Sequence, residues 1–305
     1  MNASLTVVPS RVSDLRAGQR FEGAYACARK DRLTARSGSV YLALELRDRS
    51  GALPARVFRE VDRVGLRFNA GDAVQVSGRV ERFRGELVAE LDDVRRVDPG
   101  SYDPADFLPA AYRPIDELEG FLEHLVSEIH HDGLRGVAAG LVLAGPHAAE
   151  FRRAPCTAWG HHAYLGGLIE HTVAVGTLVL ETAQLHPRLN SDLLMAAALV
   201  HDVGKVREFT YAAEFGISDE GRMLGHLQIG AGLVGAAAQS LDGELRLALL
   251  NCVLSHHGPD GAGAGGTGAS GRGRFATPEA LALHRVNALD TAVKGALESG
   301  LSAAN

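Results

Sequence analysis

The feature that most constrains this chain of 305 residues is a change of hydrophobic period near residue 100. Up to residue 97, apolar and polar residues tend to alternate; after residue 112, apolar residues recur every three or four positions. Period two presents one face of a strand to a core, whereas a period near 3.6 presents one stripe of a helix, and one segment cannot satisfy both. The chain is therefore expected to divide into a β domain over residues 1–97 and an all-α domain over residues 113–305. Between them, residues 98–112 carry three prolines and no clear period, which reads as a linker.

Within the first part, residues 21–30, 40–48, 52–58, 73–80 and 86–91 alternate, separated by turn residues such as Ser37-Gly38, Ser50-Gly51 and Gly71-Asp72. Residues 59–68 carry apolar side chains at helical spacing. Five strands with a helix between the third and fourth is the layout of the oligonucleotide-binding (OB) fold, a five-stranded β-barrel. Such a barrel holds single strands by stacking bases on aromatic side chains in a basic groove. Tyr25, Tyr41, Phe58 and Phe83 are the candidate platforms, although each also reads as a core residue; Arg29, Arg56, Arg79, Arg82 and Arg84 are candidate phosphate contacts. Charge is distributed accordingly. Residues 1–100 hold 18 basic and 14 acidic residues, a balance of +4 against −6 for the whole chain. A basic β part before an acidic remainder suits phosphate recognition joined to metal binding.

A composition of 46% hydrophobic and 22% charged residues is that of a globular protein. No apolar run reaches the roughly 18–20 residues that span a bilayer, so no membrane partner is expected. The start, Met1-Asn-Ala-Ser-Leu, lacks the basic and apolar regions of a secretion signal, and three widely spaced cysteines do not form a disulfide framework. A cytoplasmic location is expected. Assembly into a homo-oligomer is compatible with the sequence but not readable from it.

In the helical part, an apolar run ends abruptly in His201-Asp202, with Lys205 about one turn beyond. A neutral imidazole and a carboxylate can share a divalent ion, and the carboxylate can bridge to a second. His171 is set into an apolar helix after Gly166-Gly167; His226 follows Gly225; His256-His257 close another helix; and His284, Asn287 and Asp290 recur at spacing three on the last. Several of these groups lie at helix ends, where side chains from different helices can converge. Residues 258–274, rich in glycine, read as a flexible loop.

These motifs, in this order, resemble the HD superfamily of metal-dependent phosphohydrolases. With the barrel in front, and with His161-His162-Ala-Tyr-Leu-Gly-Gly-Leu-Ile-Glu-His171-Thr, His201-Asp202-Val-Gly-Lys205 and Ser255-His256-His257-Gly258, the chain looks like the YhaM-type bacterial 3′-to-5′ exoribonucleases over about residues 15–295. The resemblance implies hydrolysis of single-stranded RNA, and of DNA in some cases, by a metal-activated water with release of nucleoside 5′-monophosphates. It implies one or two divalent ions, with manganese expected ahead of Fe, Zn, Ni or Co. His171, His201 and Asp202 would hold one ion with Asn287 or Asp290. Asp202 would bridge to a second held by His226, His256 and His257, and Lys205 would stabilise charge on the phosphate. Lys30, His161 and His162 are further candidates for nucleic-acid contact. One position departs from the family's pattern: Asn287 stands where the family carries an aspartate, and an amide adds no charge to the first ion's shell. Two other readings remain: a nucleic-acid-binding protein with a degenerate HD domain, and a hydrolase of small nucleotides.

Overall fold

The computed structural model describes residues 11–258 and 275–299; the glycine-rich stretch expected to be a flexible loop lies almost wholly outside them. The chain divides into two units. One runs to Pro109 and includes Tyr211–Phe215; the other takes Ala110–Thr210 and continues from Gly216.

The first unit is a closed barrel of β1 (Arg20–Thr34), β2 (Val40–Asp48), β3 (Gly51–Val57), β4 (Ala73–Phe83) and β5 (Glu86–Arg96), in the order β1-β2-β3-β5-β4. Closure depends on the length of β1. Its first half pairs with β4, Phe21 opposite Gly78; a bulge between Cys27 and Arg29 bends it, and its second half pairs with β2, Lys30 opposite Leu44. A short parallel pairing, Ala55 with Ala89 and Arg56 with Glu90, joins β3 to β5. Alternate residues point inward, so Leu42, Leu44 and Leu46 meet Val74, Val76, Leu91 and Val94 in one core. Helix α1 (Val61–Gly65) adds Val64, and Phe68 follows it into the same core.

Two expected nucleic-acid contacts are absorbed by this packing. Tyr25 is 1% exposed and sets its ring edge-on to Phe21, so it offers no face to a base. Lys30 donates its ammonium to the carbonyls of Gly65 and Phe68 and lies over the Phe68 ring. A cation on the carbonyl end of a helical turn is a structural role. Nor are residues 98–109 a free strap: Phe107 is buried in a satellite cluster with Ala26, Ala73 and Ala213.

The second unit consists of α2 (Ile115–Ser127), α3 (Asp132–Val142), α4 (Ala148–Arg153), α5 (Gly167–Leu185), α6 (Ser191–Val200), α7 (Lys205–Glu208), α8 (Asp219–Ala237), α9 (Gly243–Ser255) and α10 (Pro278–Glu298). Every residue of α6 from Leu193 to Val200 is buried, as suits a helix that is apolar all round. Its cap is Asn190, which accepts the Leu193 N–H, whereas Asp192 takes the backbone N–H groups of His130 and His131. The helical character is broken by a hairpin of β6 (Phe209–Tyr211) and β7 (Phe215–Ile217), six residues too few to register as an alternating pattern. No helix of the described residues is long and apolar enough to cross a membrane.

Candidate active site

Helix ends bring the histidines together. α6 delivers His201 as its C-terminal cap and Asp202 just beyond, while α9 delivers His256 in the same way. α8 is interrupted at Gly225, whose φ of 71° and ψ of 159° only glycine adopts at low cost, and the helix restarts at His226 aimed toward Asp202. Gly204 permits the approach: a Cβ there would stand 2.1 Å from the His226 carbonyl oxygen.

The cluster has two halves about one carboxylate. On one side, Asp202 Oδ2 lies 3.5 Å from His171 Nε2 and 3.3 Å from His201 Nε2, and those nitrogens are 3.2 Å apart. On the other, Asp202 Oδ1 lies 3.7 Å from His226 Nε2 and 3.3 Å from His256 Nε2, with His257 Nε2 2.9 Å from that of His226. The opposite ring nitrogens are engaged. Nδ1 of His201 donates to the Ala198 carbonyl at 2.8 Å and Nδ1 of His256 to that of Val253 at 2.6 Å. Carboxylates serve the other two: Asp290 Oδ2 is 2.7 Å from His171 Nδ1, and Glu208 Oε2 is 3.0 Å from His226 Nδ1. With the proton on Nδ1 in each ring, the Nε2 lone pairs face one another and Asp202.

Such an arrangement is repulsive without a cation. Asp202 Oδ1 and His256 Nε2 are both buried without a hydrogen-bond partner. Two nitrogens bound at right angles to one ion at 2.0–2.1 Å lie about 2.9 Å apart, close to the separations seen here. The residues therefore fit a transition-metal centre, and Asp202, His226, His256 and His257 form a set that can hold an ion. Burial lowers the pKa of His171 to about 4 and of His256 to about 3; His257, although its side chain reaches solvent, is lowered to about 4 by partial desolvation and by the neighbouring His226, Lys205 and His201, so all three imidazoles are neutral at pH 7 and free to donate to an ion. For Asp202, burial opposes ionisation, but the Lys205 ammonium 2.7 Å away, with the surrounding imidazoles, outweighs it and holds the carboxyl well below the usual range. Cys156 accepts from Lys205 at 3.3 Å, and burial pushes its thiol up to about 12, so it stays protonated.

The remaining expected site residues fall in different places. Asp290, one of the two residues expected to complete the first half-site, lies on the Nδ1 side of His171, and its Oδ2 also receives His162 Nε2 at 3.1 Å, so it contacts the ring nitrogen that points away from Asp202. Asn287 lines the cavity in front of the cluster, with its amide 3.5 Å from the His256 carbonyl. This cavity of about 390 Å³ is also bordered by His161, Lys205, Phe209, His284 and Thr291. His161 thus faces a space where substrate can enter, whereas His162 is 1% exposed, too buried for nucleic-acid contact. Glu208, which accepts both the backbone N–H and the ring of His226, was not expected; its place three residues after Lys205 is the signal that could have found it.

On the barrel, Tyr41 and Phe58 form an aromatic pair with ring centroids 5.5 Å apart, Phe58 being 43% exposed. Phe83 is 44% exposed with the Arg56 guanidinium 4.2 Å from its ring centroid. Arg82 is exposed at the β4–β5 turn, where it donates to the Gly85 carbonyl at 2.9 Å.

Fold and site define a protein with an OB barrel ahead of an HD-type helical unit. The family profile described as HD domain matches residues 168–292, and that of the OB-fold nucleic acid binding domain matches residues 26–97. The chain is 31% identical over 227 residues to the 3′-5′ exoribonuclease YhaM of Bacillus subtilis, covering 73% of this chain and 72% of that one. It is 32% identical to the protein of the same name from Bacillus velezensis, with the same coverage. Among solved structures, the second OB-fold domain of replication protein A from Methanococcus maripaludis aligns with a TM-score of 0.26 at 17% identity, covering 31% of this chain and 100% of that one. The chain belongs to the YhaM family of 3′-5′ exoribonucleases.

Proposed function

We propose that this chain is a manganese-dependent 3′-5′ exonuclease of single-stranded RNA that releases nucleoside 5′-monophosphates in the cytoplasm. The observation that carries the reading is the convergence of four imidazoles, His171, His201, His226 and His256, on the two oxygens of Asp202, with a fifth, His257, against His226. His171, His201 and Asp202 would hold one ion, with Asn287 at the cavity side; His226, His256, His257 and Asp202 would hold the other. Ions there would supply a hydroxide nucleophile at neutral pH and neutralise charge on the scissile phosphate. A nitrogen-rich set with one carboxylate suits manganese and its neighbours better than magnesium. Lys205 remains protonated because Asp202 offsets its burial, so it keeps a positive charge at the cavity wall for the phosphate.

The cavity of about 390 Å³ in front of the cluster falls in the size range of small-ligand sites. Exposed Phe58 and Phe83 on the barrel supply stacking surfaces that tolerate any base. Relatives named as exoribonucleases support RNA as the substrate class, and three buried free cysteines agree with a reducing compartment. The test is shortening of a 5′-labelled RNA strand on addition of Mn²⁺. The ladder is expected to recede from the 3′ end, with Asp202→Ala inactive. Equal shortening by Asp202→Ala, or none by the wild type, would overturn the proposal.

A further inference from the structure

Resting on the two-ion reading above, we propose that His162 is a positioning residue for the first half-site. It aims Asp290, and through Asp290 the ring of His171, at the ion that His171 would share with His201 and Asp202.

The backbone of His162 is the first sign. Its φ of 52° places a bulky residue in the left-handed region, at a cost of about 1–2 kcal/mol. Surrounding contacts enforce the conformation. The His162 N–H donates to Glu298 Oε2 at 3.0 Å, its carbonyl accepts from Cys156 N–H at 3.1 Å, and a Cβ on Gly167 would stand 2.1 Å from that carbonyl oxygen. Strain held in place by several partners is retained where it aims a side chain.

The ring shows what is being aimed. Nδ1 lies 2.9 Å from the Tyr164 hydroxyl, and Tyr164 gives its single proton to Glu170. The hydroxyl can then only accept, so His162 Nδ1 donates. Nε2 lies 3.1 Å from Asp290 Oδ2, which as a carboxylate also accepts. Both ring nitrogens are thus occupied as donors, and neither has a lone pair for an ion or for substrate.

Asp290 Oδ2 consequently receives two N–H groups, from His162 and from His171 Nδ1 at 2.7 Å. Only the second connects to the cluster. His162 fixes the rotation of the carboxylate, and the carboxylate fixes the tautomer and raises the basicity of His171. Outer partners of this kind typically change metal affinity 10–100-fold. The other half-site has its own support, the Glu208 carboxylate on His226 and the Val253 carbonyl on His256, so the effect should be confined to one ion.

The test is Mn²⁺ titration of the full chain by calorimetry and electron paramagnetic resonance, with thermal melting in parallel. Two variants are central: His162→Asn, which tolerates the left-handed backbone but is too short to bridge, and Asp290→Ala, which leaves that backbone untouched. Each is expected to weaken one of two Mn²⁺ affinities 10–100-fold and to leave the other within twofold. His162→Gln, able to donate an amide N–H to Asp290, should recover most of the loss. A folded His162→Asn or Asp290→Ala chain with both affinities unchanged, or with both weakened equally, would overturn the proposal while leaving the two-ion reading in place. A wild-type chain that binds no Mn²⁺ would overturn the two-ion reading and this proposal with it.

Discussion

Replacing Asp202 with asparagine keeps the shape of the side chain and removes the charge that both half-sites share. In the metal-free chain the immediate effect falls on Lys205, whose ammonium is 2.7 Å from Asp202 Oδ2 with both side chains buried. At an effective dielectric constant of about 20, charges this close attract by about 6 kcal/mol. Desolvation offsets part of that, and breaking one partner of a buried pair costs about 3–5 kcal/mol. For a unit of this size the loss corresponds to a melting temperature lower by about 10 °C. Elemental analysis should show bound manganese falling from two ions to at most one per chain. The double variant Asp202→Asn/Lys205→Met removes the stranded ammonium as well. Calorimetry in chelator should then recover most of the lost melting temperature, while elemental analysis of the double variant without chelator still shows at most one manganese per chain. That split separates the structural charge pair from the metal site. If the single variant kept two tightly bound ions, or the double variant melted as low as the single, Asp202 would not be the shared ligand and partner described here.

Three further outcomes follow from the geometry. Asn287→Asp adds a carboxylate at the cavity face and should tighten one Mn²⁺ affinity roughly tenfold, about 1.4 kcal/mol; calorimetric titration showing no change would mean that position 287 does not face the ion. Phe58→Ala should weaken single-stranded RNA binding by about 1–3 kcal/mol, whereas Lys30→Met should lower the melting temperature of the barrel and leave RNA affinity unchanged, as filter binding and thermal melts can separate. The pKa values of His171 and His256, lowered by burial to about 4 and about 3, lie below the unfolded value of about 6.5. The unfolded chain therefore takes up protons first as pH falls below 6.5, and this contribution to metal-free stability, complete above that pH, is lost on acidification. His162 opposes it in part: burial lowers its pKa, but hydrogen bonds to Asp290 and Glu170 raise it overall. Melts in chelator should occur at lower temperature at pH 5 than at pH 7, and an equal or higher value at pH 5 would refute the balance.

Most of the barrel could be read from alternation because one face of each strand is buried and the other solvated. The exception is the end of β1. From Asp31 to Thr34 both faces are partly or fully exposed, so polarity no longer alternates and the strand outruns its pattern. What keeps those residues extended is pairing with β2, Asp31 opposite Ala43 and Thr34 opposite Val40. A hydrogen-bonded partner elsewhere in the chain leaves no period in the strand's own sequence. The same reason explains Tyr25 and Lys30. An aromatic and a cation on a barrel strand look alike whether they face a nucleic acid or a neighbouring segment, and only the closure that places Phe21 against Tyr25, and the end of α1 against Lys30, decides between them.

At the histidine cluster the distinction is between the candidate ligands and the groups that aim them. His201 and His256 each close a helix and return Nδ1 to a carbonyl three residues back, Ala198 and Val253. For a histidine at a helix C-terminus this is local geometry, so the tautomer that frees Nε2 follows from sequence position. His171 and His226 sit near the starts of helical segments, with no such carbonyl printed into their local sequence, and need a carboxylate from elsewhere. Glu208 comes from 18 residues before His226, and Asp290 from 119 residues beyond His171. Spacing of three on α10 places Asn287 and Asp290 broadly on one side of a helix, but it cannot tell which reaches the Nε2 side of His171 and which its Nδ1 side. The two positions consequently have different chemical requirements. Asp290 must be able to accept N–H groups from two imidazoles, whereas a residue facing an ion needs a donor oxygen, which asparagine has. On the proposed two-ion arrangement, a neutral amide at 287 and a carboxylate at 290 would be complementary: an Asn287 ligand would bring one charge fewer to the ion, and the carboxylate hydrogen-bonded to His171 Nδ1 would make that imidazole the stronger donor.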